Sequence, residues 1–239
     1  IEGIPFRKAL EMYGALPQKD VIEWAKQLCE VLGYLHSRPF PIIYRDMKPD
    51  NIMLKPDGSI ALIDFGVARE YKPYALQDTR ALGTQGYAAP EQFGGQGQTD
   101  ARTDLYGLGA TLYHLVTGHN PAEPPYEVFP IRHWNPALSQ GLEKIIWKCT
   151  QKNPEERYQS CAEMQYDLEH FQELDNRYSL KQKFRLISFL GMCIFTVIFS
   201  LIAVWAHQTK NSIIIQKYND YIEAAKSSTT VDEQFAYYE

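Results

Sequence analysis

At 239 residues and 45% hydrophobic content, the chain has ample material for one packed domain and an appendage, which excludes a disordered polypeptide. A net charge of -5 argues against a broad nucleic-acid-binding surface, because binding to a phosphate backbone needs a basic face. Cys29, Cys149, Cys161 and Cys193 are widely spaced with no Cys-x-x-Cys pair, so they read as buried, reduced thiols of a cytosolic domain rather than disulfides or zinc ligands.

In chain order, Ile1 to Pro17 reads as a short connection and a first small helix. From Val21 the apolar residues Trp24, Ala25, Leu28, Val31, Leu32 and Leu35 recur at helical spacing, and this helix ends before Pro39. Two short apolar runs follow, Ile52-Met-Leu54 and Ala61-Leu-Ile63. The turn signal Pro56-Asp-Gly58 between them predicts a tight hairpin.

The hairpin sits between two polar loops, one carrying Asp46 and Asn51 and the other Asp64. A rigid hairpin fixes these groups relative to one another, so Asp46 suits a base while Asn51 and Asp64 offer the hard oxygens that Mg2+ takes alongside phosphate. Val67 to Gly86 has little periodicity. Gly94-Gly-Gln-Gly97 reads as a linker, because no strand precedes it to make a phosphate cradle.

Leu105, Leu108, Leu112 and Leu115 describe a strongly apolar helix stopped at Gly118. The Pro-rich run Pro121 to Pro136 reads as an extended loop, and Leu142, Ile145, Ile146 and Cys149 as a short amphipathic helix. Ser160 and Glu163 form a capping-box signature for another helix, with Met164, Leu168, Phe171 and Leu174 on its buried side. This closes a globular part over residues 1–175, with a basic linker at 176–185.

Leu186 to Ala206 carries no charged residue and is long enough to cross a bilayer as a single helix. Arg177, Lys181, Lys183 and Arg185 precede it, with only the sparser Lys210 and Lys217 after it. The positive-inside bias therefore predicts a cytoplasmic globular part and an extracytoplasmic segment at 207–239. In that segment Tyr218, Tyr221, Ile222, Ala225 and Phe235 suggest one or two helices, vaguely like the opening of a helical repeat.

Three motifs occur in order: Arg45-Asp46-x-Lys48-Pro49-x-Asn51, Asp64-Phe65-Gly66, and Gly83-Thr84-x-x-Tyr87-x-Ala89-Pro90-Glu91. Together they resemble the catalytic loop, the magnesium loop and the following segment of the eukaryotic-like serine/threonine protein kinases, in their bacterial, membrane-anchored form. The resemblance implies an α+β, protein-kinase-like fold: a mainly helical C-terminal lobe with a small β-hairpin, followed by the transmembrane helix. One departure is Tyr44, where the family usually has His; an aromatic ring there preserves support beneath Phe65.

By the same resemblance, Asp46 takes the proton of a Ser or Thr hydroxyl and Lys48 steadies the transferring phosphoryl group. Asn51 and Asp64 hold Mg2+, with Mn2+ an alternative, Gly66 follows them in the loop, and Met53 forms the floor under the adenine of ATP. Thr79 is the expected phosphorylation site that pairs with Arg45, and Thr84 the residue that contacts Asp46 and Lys48. Asp104 is expected to hold the catalytic-loop backbone and Arg157 to pair with Glu91.

The expected partners are ATP, proteins bearing Ser or Thr, and the lipid bilayer, with no nucleic acid and with a homodimer left open. The family's Gly-rich loop and strand lysine do not precede the catalytic loop. The resemblance therefore covers the C-terminal lobe only, with the N-terminal lobe absent, and predicts that this stretch alone has little activity, as a piece of a longer product in preference to a natural remnant. The alternatives are a non-catalytic membrane-anchored pseudokinase or scaffold, which would need no metal ligands, and a receptor whose lobe only relays a signal.

Overall fold

The computed structural model describes residues 2–71, 83–93 and 98–227, with the side chains of 176–179 and 181–182 outside the description. The expected phosphorylation site Thr79 and the Gly94-Gly-Gln-Gly97 linker lie outside the described residues. By contact the chain divides into two compact units, Ile1–Ser179 and Leu180–Glu239.

The elements of the first unit run β1 (Ile4–Pro5), α1 (Phe6–Tyr13), α2 (Gln18–His36), β2 (Ile42–Ile43), β3 (Ile52–Leu54), β4 (Ile60–Leu62) and β5 (Arg69–Glu70). They continue with α3 (Ala101–Thr117), α4 (Ile131–Trp134), α5 (Gln140–Cys149) and α6 (Cys161–Glu169).

Helix α3 is the axis of the unit. Leu105, Leu108, Leu112 and Leu115 are fully buried, each stabilising the fold by about 2–3 kcal/mol relative to exposure. Small residues let neighbours close in on it: a Cβ on Gly109 would lie 2.3 Å from the Cβ of Cys149, so α5 can approach α3 this closely only because the position is glycine. Asp100 caps the N-terminus by accepting from the Arg102 amide, in a capping box with Thr103, and Gly118 ends the helix at φ 71°. Helix α2 contributes Val21, Ala25, Leu28 and Leu32 to the same core.

The expected hairpin forms as β3–β4, with Ile52 opposite Leu62 and Met53 opposite Ala61. It is wider than the sequence suggests, because β1 adds antiparallel to β3 with Pro5 opposite Met53. A second ribbon pairs β2 with β5, Ile43 opposite Arg69. Both additions are two-residue strands, too short to carry a period.

Two further details depart from the sequence reading. The Pro-rich loop contains one helical turn, α4, and α6 stops at Glu169, so Phe171 and Leu174 pack on the core from the turns that follow. Cys29, Cys149 and Cys161 are buried as free thiols, whereas Cys193 is exposed. Burial pushes the Cys149 thiol upward, and that of Cys161 up to about 12.

The helix α7 (Asn176–Ser227) carries a segment, Lys183–Ser227, that is long and apolar enough to cross a membrane. It continues past Ala206 without a break, consistent with the lack of Gly and Pro after Gly191.

Candidate functional site

The polar loops meet where the connection from β2 to β3 passes the residues after β4. Asp46 is the centre. Its carboxylate lies 2.9 Å from Lys48 Nζ and accepts from Asn51 Nδ2 at 2.8 Å and from the Thr84 hydroxyl at 3.3 Å. Lys48 Nζ also donates to Thr84 Oγ1 at 3.0 Å. The structure thus brings together Asp46, Lys48, Asn51 and Thr84, as expected from the motifs.

Asn51 is buried and spends its amide nitrogen on the carbonyl and carboxylate of Asp46. That leaves its amide oxygen as the atom available to a cation. Asp64 is exposed at φ 60°, with one carboxylate oxygen accepting from the Gly66 amide at 3.0 Å. Among the described residues no three His, Cys, Asp or Glu side chains cluster as a metal cage. One amide oxygen and one carboxylate fit Mg2+, which takes its remaining ligands from phosphates and water.

Tyr44 supports this loop as its aromatic character suggests. Its ring meets Phe65 edge-on at 5.2 Å, and its hydroxyl donates to the Ile63 carbonyl at 2.5 Å. Burial, followed by the carboxylates of Asp46, Asp64 and Asp104, pushes the phenol pKa upward, so it remains a donor. Met53 is buried at the centre of the three-stranded sheet, paired with both neighbours.

Arg45 holds a backbone that L-residues rarely adopt, at φ 65°. Four contacts pin it. The Asp104 carboxylate accepts from the amides of Tyr44 at 2.8 Å and Arg45 at 2.7 Å. Gln92 Nε2 donates to the Arg45 carbonyl at 2.8 Å, and the Arg45 guanidinium donates to the Val67 carbonyl. Arg157 and Glu91 form a two-pronged pair at 2.7 and 2.9 Å, with the Thr103 hydroxyl donating to the same carboxylate at 2.8 Å.

The segment carrying Thr84 is anchored from below. Tyr87 is buried, its hydroxyl 2.5 Å from His114 Nδ1 and 3.1 Å from Asn120 Oδ1. Burial pushes His114 down to about 4, so the ring is neutral at ordinary pH. Gly86 sits at φ +87°, and a Cβ there would strike the Pro121 carbonyl at 2.3 Å. Gln92, Thr103, His36 and the Tyr87–His114–Asn120 contact were missed by sequence reasoning. Only Tyr87 carried a signal, as part of the third motif.

The family model for the protein kinase domain matches residues 2–168. The chain is 34% identical over 181 residues to the serine/threonine-protein kinase PknB of Mycobacterium leprae, covering 70% of this chain and 29% of that protein. It is 33% identical over 187 residues to PknB of Mycolicibacterium smegmatis, covering 70% and 29%. To the serine/threonine-protein kinase PrkC of Bacillus subtilis it is 31% identical over 180 residues, covering 70% and 27%. The chain thus spans less than a third of the length of each of these relatives.

Proposed function

Because this chain belongs to the protein kinase family, among its bacterial-type serine/threonine kinases, we propose that the intact protein transfers the γ-phosphate of ATP to Ser and Thr hydroxyls of other proteins in membrane-linked signalling. The observation that carries this reading is the convergence of Lys48, Asn51 and Thr84 on the Asp46 carboxylate.

Asp46 accepts hydrogen bonds from three side chains, which orient it as the acceptor for a substrate hydroxyl proton. Lys48 bridges Asp46 and Thr84 and offers its ammonium to the phosphoryl group in flight. Asn51 and Asp64 would hold Mg2+, which when bound neutralises charge on the phosphates. Met53 underlies the adenine of ATP. Thr84 closes the site on the hydroxyl side and favours Ser and Thr over Tyr as acceptors. Thr79, when phosphorylated, pairs with Arg45.

The uncharged stretch Leu186 to Ala206 anchors the protein in the cell membrane as a single span, supported by a helical segment, Lys183–Ser227, that is long and apolar enough to cross one. The basic residues around Lys183 and Arg185 set the kinase portion, residues 1–175, in the cytoplasm, and residues 207–239 lie outside it. Phosphoamino-acid analysis after incubating the intact protein with γ-labelled ATP tests the assignment. Label on Ser and Thr supports it, and label confined to Tyr, or none, contradicts it.

A further inference from the structure

Residues 44–47 lie in neither helix nor strand, yet Tyr44, Arg45 and Met47 are buried. A buried backbone outside regular structure needs side chains to meet its polar groups. The carbonyls around Asp46 are met in this way. That of Arg45 accepts from Gln92 Nε2 at 2.8 Å, that of Asp46 from Asn51 Nδ2 at 2.9 Å, and that of Met47 from Thr111 Oγ1 at 3.1 Å. Three successive peptide planes are thus each gripped by a side chain.

Asn51 belongs to the loop itself, whereas Gln92 and Thr111 reach it from outside. Gln92 sits in the short turn Pro90–Phe93, and its Oε1 accepts from the Ala89 amide at 2.9 Å, which turns the nitrogen toward Arg45. Thr111 lies in the middle of α3, where a threonine hydroxyl often turns back to the carbonyl four residues earlier. Here it points across to Met47. Gly107, one turn earlier on the same face of α3, lets the loop come this close, since a Cβ there would lie 3.0 Å from the Met47 Cβ. Gln92 and Thr111 are both buried, so no solvent replaces a donor that is removed.

We infer that Gln92 and Thr111 are positioning residues: Gln92 fixes the peptide that leads into Asp46, and Thr111 the peptide that leads into Lys48. The two grips keep the carboxylate and the ammonium aimed at the acceptor hydroxyl and the phosphoryl group, a consequence that rests on the phosphate-transfer reading above. Arg45 makes the first grip necessary. Its φ of 65° persists only where the surroundings hold it.

The test uses the intact protein in detergent. Within this chain the pairs Arg-Asp and Met-Lys each occur once. Carbonyl-13C arginine with 15N-aspartate therefore selects the Arg45–Asp46 peptide, and carbonyl-13C methionine with 15N-lysine selects Met47–Lys48. The signals are identified by their loss in Asp46→Asn and Lys48→Arg. Gln92→Met is expected to move the Arg45 carbonyl upfield and leave that of Met47 in place, and Thr111→Val to do the reverse. In phosphate transfer each variant is expected to lose about tenfold in kcat, with KM for ATP held within about twofold. Thr111→Ser, which keeps the hydroxyl, restores kcat. Gln92→Leu and Thr111→Ala replace the first two variants if either does not fold.

Carbonyl signals that stay in place in both variants overturn the inference. So does a wild-type kcat in variants whose signals have moved. A wild-type protein that transfers no phosphate overturns the kinase assignment instead, and the two grips remain readable in the spectra.

Discussion

Arg157 donates from both terminal nitrogens to the two carboxylate oxygens of Glu91, at 2.7 and 2.9 Å, although 66 positions separate them. The Arg157 side chain is fully buried, and its remaining donors reach the carbonyls of Gln151, Lys152 and Arg102. Removing one member strands a buried charge. Glu91→Ala is therefore expected to lower unfolding free energy by about 3–5 kcal/mol, read as a drop in the urea midpoint. Replacing both residues, Glu91→Ala with Arg157→Leu, should recover part of that loss, and a single variant as stable as wild type would contradict the account.

Acid should weaken the fold through His114. Burial sets its folded-state value near 4, against 6.5 when unfolded, so between those values the unfolded chain binds the extra proton. Stability is complete above 6.5 and declines as pH falls toward 4, by on the order of 3 kcal/mol. In His114→Phe this part of the slope should vanish. Equal acid slopes in the two proteins, from denaturation at a series of pH values, would remove His114 as the cause.

Thr84 gives a test of the site that leaves the core alone. Its hydroxyl accepts from Lys48 and donates to Asp46. Bonds to charged groups are worth about 1.5–3 kcal/mol, so Thr84→Val should slow phosphate transfer by roughly 10- to 100-fold. Thr84→Ser should stay near wild type. A Val variant with full activity would show that the hydroxyl is idle.

The hairpin and the loops beside it were legible because their side chains lie within a few residues of each other in sequence and their chemistry is distinctive. The α2 and α3 stripes were legible because a helix writes its buried face into a 3.6-residue period. Asp104 and Arg157 were legible only through the family resemblance, since nothing local in the sequence points from Asp104 to an amide 60 positions away. Gln92, His36 and His114 show the limit. Their partners lie 47, 68 and 27 positions distant, and only the folded chain brings them into contact. The two-residue strands and the single turn of α4 are set by tertiary pairing and carry no period of their own.

The most direct test of the central claim compares phosphate transfer to a Ser- or Thr-containing protein by the intact protein and by its Asp46→Asn form, with Mg2+ and ATP in excess. Asn keeps the shape and the hydrogen-bonding reach of Asp46 but cannot take up the hydroxyl proton. The rate of the variant is expected to fall by about 10²–10⁴-fold, with its fold intact by circular dichroism. Equal rates in the two proteins would contradict it.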